Sequence, residues 1–444
     1  MHISEILELL ERKDFARLKL VFKDEIPVDI SEVLEEIDSE KCFIVFRILD
    51  KDTAANVFSY LSIEKQKEII SKVSQSKAMQ IIKDLDFDDK IDFLSEMPSN
   101  FVKTVLSNSK EEERILINQF LNYPENSAGS LMTIEFVSFT KEIQVSEALV
   151  NIRKTGLDKE TIYSCYITDV ENKLEGYCSL HKILMEEDSK VLNDIMEEDI
   201  IFCSTLDDQE DIAKIFKKYD LLALPVVDSE GRMVGIITFD DIMDVVDQEA
   251  TEDFEKMSLL KPSEKKYLDT TAFELMKKRI GWLLILMLTA TLTGGIIQAY
   301  EELLSHVVVL AAFIPLLMDS AGNAGSQSSA LIIRGIALGD IGLKDFFKVF
   351  FKECQIGIMA GVILAIFEYL RLVYVVNVDS SVALTVAITL VTTVISAKMM
   401  GAVLPMAAKK VGIDPAVMAG PLITSFVDTT ALIIYFNVAS VLVL

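Results

Sequence analysis

The residues in this 444-residue chain best suited to chemistry are carboxylates set inside apolar sequence. Asp428 lies near the middle of AVMAGPLITSFVDTTALIIYF, two turns after Gly420 and Pro421, which predict a break in a helix. A carboxylate in a bilayer with no base nearby in sequence faces a polar pathway, or is tied to Ser or Thr across helices. We read Asp428 as a pore carboxylate. Asp414, just before Pro415, suits either a helix cap or a ligand at the inner mouth of the path. A second stretch, PLLMDSAGNAGSQSSALIIRG (315–335), places Asp319 one turn before Gly322-Asn323-Ala324-Gly325-Ser326-Gln327. These small residues predict an interrupted membrane helix, whose freed carbonyls would face protein or a water-filled path. The bland alternative is a glycine-rich helix contact.

A second group of carboxylates lies in charged sequence. Asp88 and Asp92 are four apart, on one face of a short helix. They suit either a solvated acidic turn at a helix N-terminus or a cation site shared with a neighbouring domain. Asp207-Asp208-Gln209-Glu210-Asp211 and the run from Asp240 to Asp253 are equally dense, and Asp220 stands alone. Acids packed this closely repel one another unless protonated or countered by cations. They form either a soluble acidic face or sites for hard ions such as Mg2+ or Ca2+.

Composition narrows the classes. A net charge of −26 excludes nucleic acid as a partner and favours cations. Five cysteines without CxxC spacing indicate neither a zinc site nor a disulfide framework, and three dispersed histidines form no transition-metal cluster. No P-loop or nucleophile–base pair points to an enzyme. The sequence MHISEILELLERKD lacks the marks of a signal peptide, which predicts a cytosolic front half. Hydrophobic residues make up 51% of the chain beside 25% charged ones, and the two are segregated: charge is dense before Arg279 and scattered after it.

Four kinds of element must position these groups. Residues 1–128 read as short amphipathic helices, recurring every 20 to 30 residues as in a stacked array, with Asp29, Asp50 to Asp52 and Ser62 as candidate N-caps. Residues 129–192 and 193–249 read as two copies of one strand–helix pattern. Each ends in a hairpin leading to a helix, as in LPVVDSEGRMVGIITFDDIM. The stretch 254–279 reads as a linker helix, within a connecting segment of 250–279. Five apolar spans follow in 280–444, at about 280–300, 306–338, 348–375, 381–408 and 416–441. Lys277 to Arg279, Arg334, Lys344, Lys348, Lys352, Lys409 and Lys410 fall on one side. That asymmetry predicts an inside N-terminus and an outside C-terminus, with Arg371 as the one exception.

The repeated strand–helix pattern resembles a tandem pair of CBS domains. In such pairs a Thr-x-x-Asp contacts the ribose of an adenine nucleotide, and the resemblance implies an ATP site at Thr238 and Asp241. The whole chain resembles the MgtE family of magnesium channels. The residues that carry this are 315–335, KKVGIDPAVMAGPLITSFVD (409–428), the CBS pair and EATEDF (249–254). The resemblance implies a multidomain fold: an α-helical superhelix, an α/β tandem CBS pair, a plug helix and an all-α five-helix transmembrane domain. It implies a homodimer in a bacterial-type plasma membrane, with the pore on the two-fold axis. Asp428 would bind hydrated Mg2+, with Gly322, Asn323, Gly420 and Thr424 lining its neighbourhood and Asp414 near the inner mouth. Cytosolic Mg2+ would close the pore through Asp88, Asp89 and Asp92; through Asp208, Glu210 and Asp220; and through Asp241, Asp244, Asp247, Glu252 and Asp253. Two other functions compete. One is a carrier of another divalent cation (Co2+ or Mn2+) or a Mg2+ exporter. The other is a non-conducting nucleotide sensor in the membrane, which leaves Asp428 unexplained.

Overall fold

The structure, a computed structural model, describes residues 3–23, 25–262, 267 and 270–443. It divides into two compact units, Met1–Val246 and Asp247–Leu444.

The first unit opens with short helices that begin at Ile3, Phe15, Pro27, Ser39, Lys51, Ile63, Gln75, Phe87, Ser99 and Glu111, a step of twelve residues each time. A pair of helices therefore makes one repeat, within the expected 20 to 30. Each helix buries one to four apolar side chains along one stripe, such as Val57 and Phe58 or Ile81 and Ile82, because a short helix is stable only when packed. Caps enforce the step. Asp38 accepts from Glu40 N and Lys41 N, and Asp50 accepts from Thr53 N. Ser62 holds the N-cap position without a side-chain bond. Asp29 instead lies in the first turn of Pro27–Glu36, because Pro27 takes the N1 position. Below we label the helix Phe87–Ser95 α1.

Two three-stranded sheets follow, with the same order. In the first, β1 (Val137–Phe139) pairs parallel with β2 (Ser164–Thr168), which pairs antiparallel with β3 (Leu174–Ser179). In the second, β4 (Cys203–Ser204), β5 (Ala223–Val227) and β6 (Met233–Thr238) repeat this. β5 is buried along its whole length, as expected of a central strand. The core of the helical array continues into the second copy through Ala128, Met132, Ile212, Phe216, Leu224 and Ile237. Helix α2 (Gln209–Tyr219) lies between β4 and β5. From β6 the chain enters α3 (Phe239–Met257), which straddles the division between the units.

In the second unit, the expected single helix over 254–279 is absent. Helix α3 ends at Met257, with Leu259 in the left-handed region, and Pro262 cannot donate to a continuing helix. Residues 263–266, 268 and 269 of that expectation lie outside the described residues. A new helix, α4 (Ala272–Ala299), starts at a capping box of Thr271 and Glu274. It is followed by α5 (Ile314–Ala337), α6 (Phe346–Arg371), α7 (Ser380–Lys410) and α8 (Gly420–Leu442). All five are long and apolar enough to cross a bilayer. Arg371 is engaged in two bonds by buried Glu368, at 2.6 and 2.8 Å, which neutralises the one base that broke the charge asymmetry.

The expected interruption at Gly322–Gln327 is absent. Helix α5 runs unbroken from Ile314 to Ala337, because its peptide groups are satisfied within the helix as lipid requires. The glycines serve helix contact instead. A Cβ on Gly325 would press on Ile423, Val427 and the Ala397 carbonyl, and one on Gly401 of α7 would collide with the Gly325 carbonyl oxygen. Gly357 and Gly361 give α6 the same backbone-to-backbone approach to α7, at Ile395 and Val391. We expect Gly401→Val to force α5 and α7 apart and cost about 3 kcal/mol. A fall in the melting temperature of the detergent-solubilised protein checks this; an unchanged one refutes the contact.

Candidate functional site

The expected pathway residues of the second unit are positioned by α5 and α8. Helix α8 begins at Gly420, after a 3-10 turn over Pro415–Met418, so Gly420 and Pro421 open the helix instead of breaking it. Thr424 donates to the Gly420 carbonyl at 2.8 Å, which joins two expected lining residues to each other. Asp428 follows one turn later. Its Oδ1 is buried and without a hydrogen-bond partner. A Cβ on Gly322 would lie 3.8 Å from that oxygen and 3.0 Å from Thr424 Cγ2. The absence of a side chain at 322 thus lets α5 approach the Thr424–Asp428 face.

Asn323, next to Gly322, is exposed, and so are Asp319 and Gln327. Spaced by four, these three form one polar stripe along a membrane-length helix. Asp319 lies within electrostatic reach of Asp428. Gln327 was not singled out from the sequence, although the i, i+4, i+8 spacing of Asp319, Asn323 and Gln327 carries the signal.

Asp414 holds two contacts at once. Its Oδ1 accepts from Ala416 N at 2.8 Å as a cap, and its Oδ2 pairs with Lys256 Nζ at 2.7 Å. Lys256 also pairs with Glu252 at 2.7 Å. Burial opposes the Lys256 charge, but the two carboxylates outweigh it and hold its pKa above the ordinary lysine value. Met257, at the end of α3, packs against Ile333, Ala416 and Ala419. The C-terminal end of α3 is thereby fixed to the turn that launches α8.

In the first unit, Asp88, Asp89 and Asp92 on α1 meet Asp241 at the start of α3. Burial is the main cause of a raised pKa for all four: about 6 for Asp88, 7 for Asp89, 6 for Asp92 and 6 for Asp241. Mutual repulsion adds to it, from Asp86, Asp88 and Asp92 on Asp89 and from Asp241 on Asp92. Asp88 Oδ1 is buried without a partner. Asp241 accepts from Thr238 Oγ1 at 2.7 Å, so the two residues of the expected nucleotide motif bond to each other. Glu160 belongs to the same cluster, raised to about 7 by burial and by Asp88, Asp86, Asp240 and Asp241. Its distance from them in sequence left no local signal.

The remaining acids are not gathered. Asp208 caps α2 through Glu210 N at 2.9 Å, and Glu210 pairs with Lys214 at 3.0 Å. Asp220 terminates the same helix in the left-handed region, about 18 Å from Asp208 along the axis. Asp244, Asp247, Glu252 and Asp253 are strung along α3. Among the described residues, no three His, Cys, Asp or Glu side chains form a ready-made metal site.

The profile of MgtE, divalent cation transporter, matches residues 314–438; that of the MgtE intracellular N domain matches 26–126; and that of the CBS domain matches 192–248. The magnesium transporter MgtE of Thermus thermophilus is 35% identical over 98% of this chain and 97% of its own length. The chain belongs to the MgtE family. The magnesium transporter MgtE of Bacillus subtilis is 30% identical over 96% of each chain. Among solved structures, the cytosolic domain of the Mg2+ channel MgtE in complex with ATP is similar with a TM-score of 0.52. It has 32% identity, covering 55% of this chain and all of that one. The expected order of helical domain, CBS pair and helical membrane region is the order found in this MgtE chain.

The acid cluster generates a prediction with a defined sign. The folded-state pKa values of about 6 to 7 exceed the unfolded value near 4, so the folded state binds more protons between those limits. Without divalent cations, stability therefore falls as pH rises from about 4 to 7, and the full penalty is present above 7. At pH 8 without Mg2+, Asp88→Asn should stabilise the protein by about 2 kcal/mol, and the gain should fall to about half of that at pH 5. Chemical denaturation at both values checks this; an equal effect at both refutes the burial of a charged Asp88.

Proposed function

We propose that the chain is a Mg2+ channel for uptake, gated by cytosolic Mg2+. The observation that carries this reading is the buried, unpartnered Asp428 Oδ1 beside Gly322, with the exposed stripe of Asp319, Asn323 and Gln327 along the neighbouring helix. Carboxylate, amide and carbonyl oxygens suit a hard ion that keeps most of its waters. They suit Co2+ and softer metals less well. The exposed polar stripe is what a helix facing a water-filled axis between two copies would present, which supports a homodimer.

Five domains divide the work in this proposal: 1–128 as helical superhelix, 129–192 and 193–249 as CBS repeats, 250–279 as connecting segment and 280–444 as pore. The N-terminus is cytosolic, the C-terminus is outside, and the membrane is a bacterial-type plasma membrane. The acids of α1, α2 and α3 are the sensor. When cytosolic Mg2+ is plentiful, it compensates them and favours the closed arrangement; when it falls, repulsion favours the open one. The unpartnered Asp88 Oδ1 and the raised pKa values of its neighbours are what a cation would relieve. The Lys256–Asp414 pair and Met257 supply a connection from α3 to the start of α8. ATP at Thr238 and Asp241 is a second ligand of the sensor, supported by the ATP complex of the similar cytosolic domain.

Mg2+ flux into liposomes tests the proposal. Asp428→Asn should lower the flux by about tenfold or more while the protein stays monodisperse. Lys256→Ala should leave flux at low cytosolic Mg2+ and weaken its inhibition at high cytosolic Mg2+. Unchanged flux in Asp428→Asn refutes the pathway, and unchanged inhibition in Lys256→Ala refutes the connection through α3.

A further inference from the structure

Three helices of the second unit are joined by a pair of opposite charges that the pathway described above does not use. Glu353 on α6 and Lys398 on α7 are each 7% exposed, and Ser328 on α5 is 1% exposed. Ser328 Oγ donates to Glu353 Oε2 at 2.5 Å and accepts from Lys398 Nζ at 3.3 Å. An ammonium can only donate and a carboxylate can only accept. A hydroxyl set between an ionised lysine and an ionised glutamate takes this polarity.

Stability alone is a weak reason for such a pair. Replacing a buried ion pair by apolar residues of similar volume is often neutral or stabilising, and charges inside a membrane are costly. Location gives a stronger reason. Ser329, next to Ser328, donates to the Met418 carbonyl at 2.9 Å, immediately before the start of α8. The pair is thereby joined to the turn from which Gly420, Thr424 and Asp428 rise. Along α5, Ser328 is six residues from Gly322, about 9 Å, and Gly322 abuts Asp428. Between an effective dielectric of about 20 and that of water, about 80, one uncompensated charge at roughly that distance changes the occupancy of a divalent ion by between about five-hundredfold and about fivefold.

We propose that Glu353 and Lys398, coupled through Ser328, are a field-setting pair for the cation pathway: their balanced charges fix the electrostatic potential at Asp428. They are positioning residues, which set divalent affinity without touching the ion. The inference rests on Asp428 being a cation ligand.

The test is Mg2+ flux by the full-length protein in liposomes, measured against Mg2+ on the supplying face with Mg2+ on the other face held low. Glu353→Gln leaves a positive charge uncompensated and should raise the half-saturating Mg2+ on the order of tenfold. Lys398→Gln leaves a negative charge and should lower it by a similar factor. The double variant should return toward the wild-type value. A tie that only holds the helices together would reduce maximal flux in both single variants without moving half-saturation in opposite directions, and that result overturns the proposal. If one single variant is not monodisperse, the sign of the other's shift decides. If neither is, the pair is a structural tie and the proposal fails. Asp428→Asn in the same series separates the two levels. Flux that survives it overturns the pathway and this inference together, whereas flux lost in it, without opposite shifts at 353 and 398, overturns this inference alone.

Discussion

The cost of removing a carboxylate from water governs both halves of this protein. In the first unit, α1 and the start of α3 bring Asp88, Asp89, Asp92, Asp241 and Glu160 together in partial burial, where only protons or cations can relieve them. In the second, Asp428 is held against Gly322 with one oxygen unpartnered. Other acids of the second unit are compensated. Glu368 has Arg371, Glu353 has Ser328 and through it Lys398, and Asp414 has Lys256. The contrast between compensated and uncompensated carboxylates, rather than their number, separates scaffold from site.

Close backbone packing makes that contrast sustainable. Helices α5, α6 and α7 meet where glycines allow it, at Gly325 with Gly401 and at Gly357 and Gly361. Without a hydrophobic force between helices in lipid, such contacts and interhelical hydrogen bonds hold the bundle. Ser328 and Ser329 use adjacent positions on α5 to reach α6, α7 and the turn before α8. The geometry around Asp428 therefore depends on side chains about 9 Å further along α5.

Much of this was legible in the chain. Apolar length gave the five spans, and alternating strand and helix patterns gave the paired sheets, because both signals are local. The acids at 88, 89, 92 and 241 were legible as candidates, and their convergence was not, since it depends on how the helical array meets the second sheet. Glycine content misled at 322–327. A run of small residues weakens a helix in water but is tolerated in lipid, where an unsatisfied peptide group costs more than the lost propensity. The linker at 254–279 misled for the opposite reason: its periodicity was helical, but Pro262 interrupts it. Glu353 and Lys398 gave no signal at all, being 45 residues apart on different helices.

The twelve-residue step of the first helices has a consequence for length. In a stacked array each member contacts its neighbours, so stability is close to a sum of nearest-neighbour terms. Helix α1, which carries the acids, is the eighth in the series, with two more between it and the first sheet. A deletion or duplication of twenty-four residues ahead of it, one pair of helices, would remove or add one rung while leaving the rungs on either side of α1 as they are. The array can thus change its length in quantised steps ahead of α1, and the acid-bearing end keeps its register.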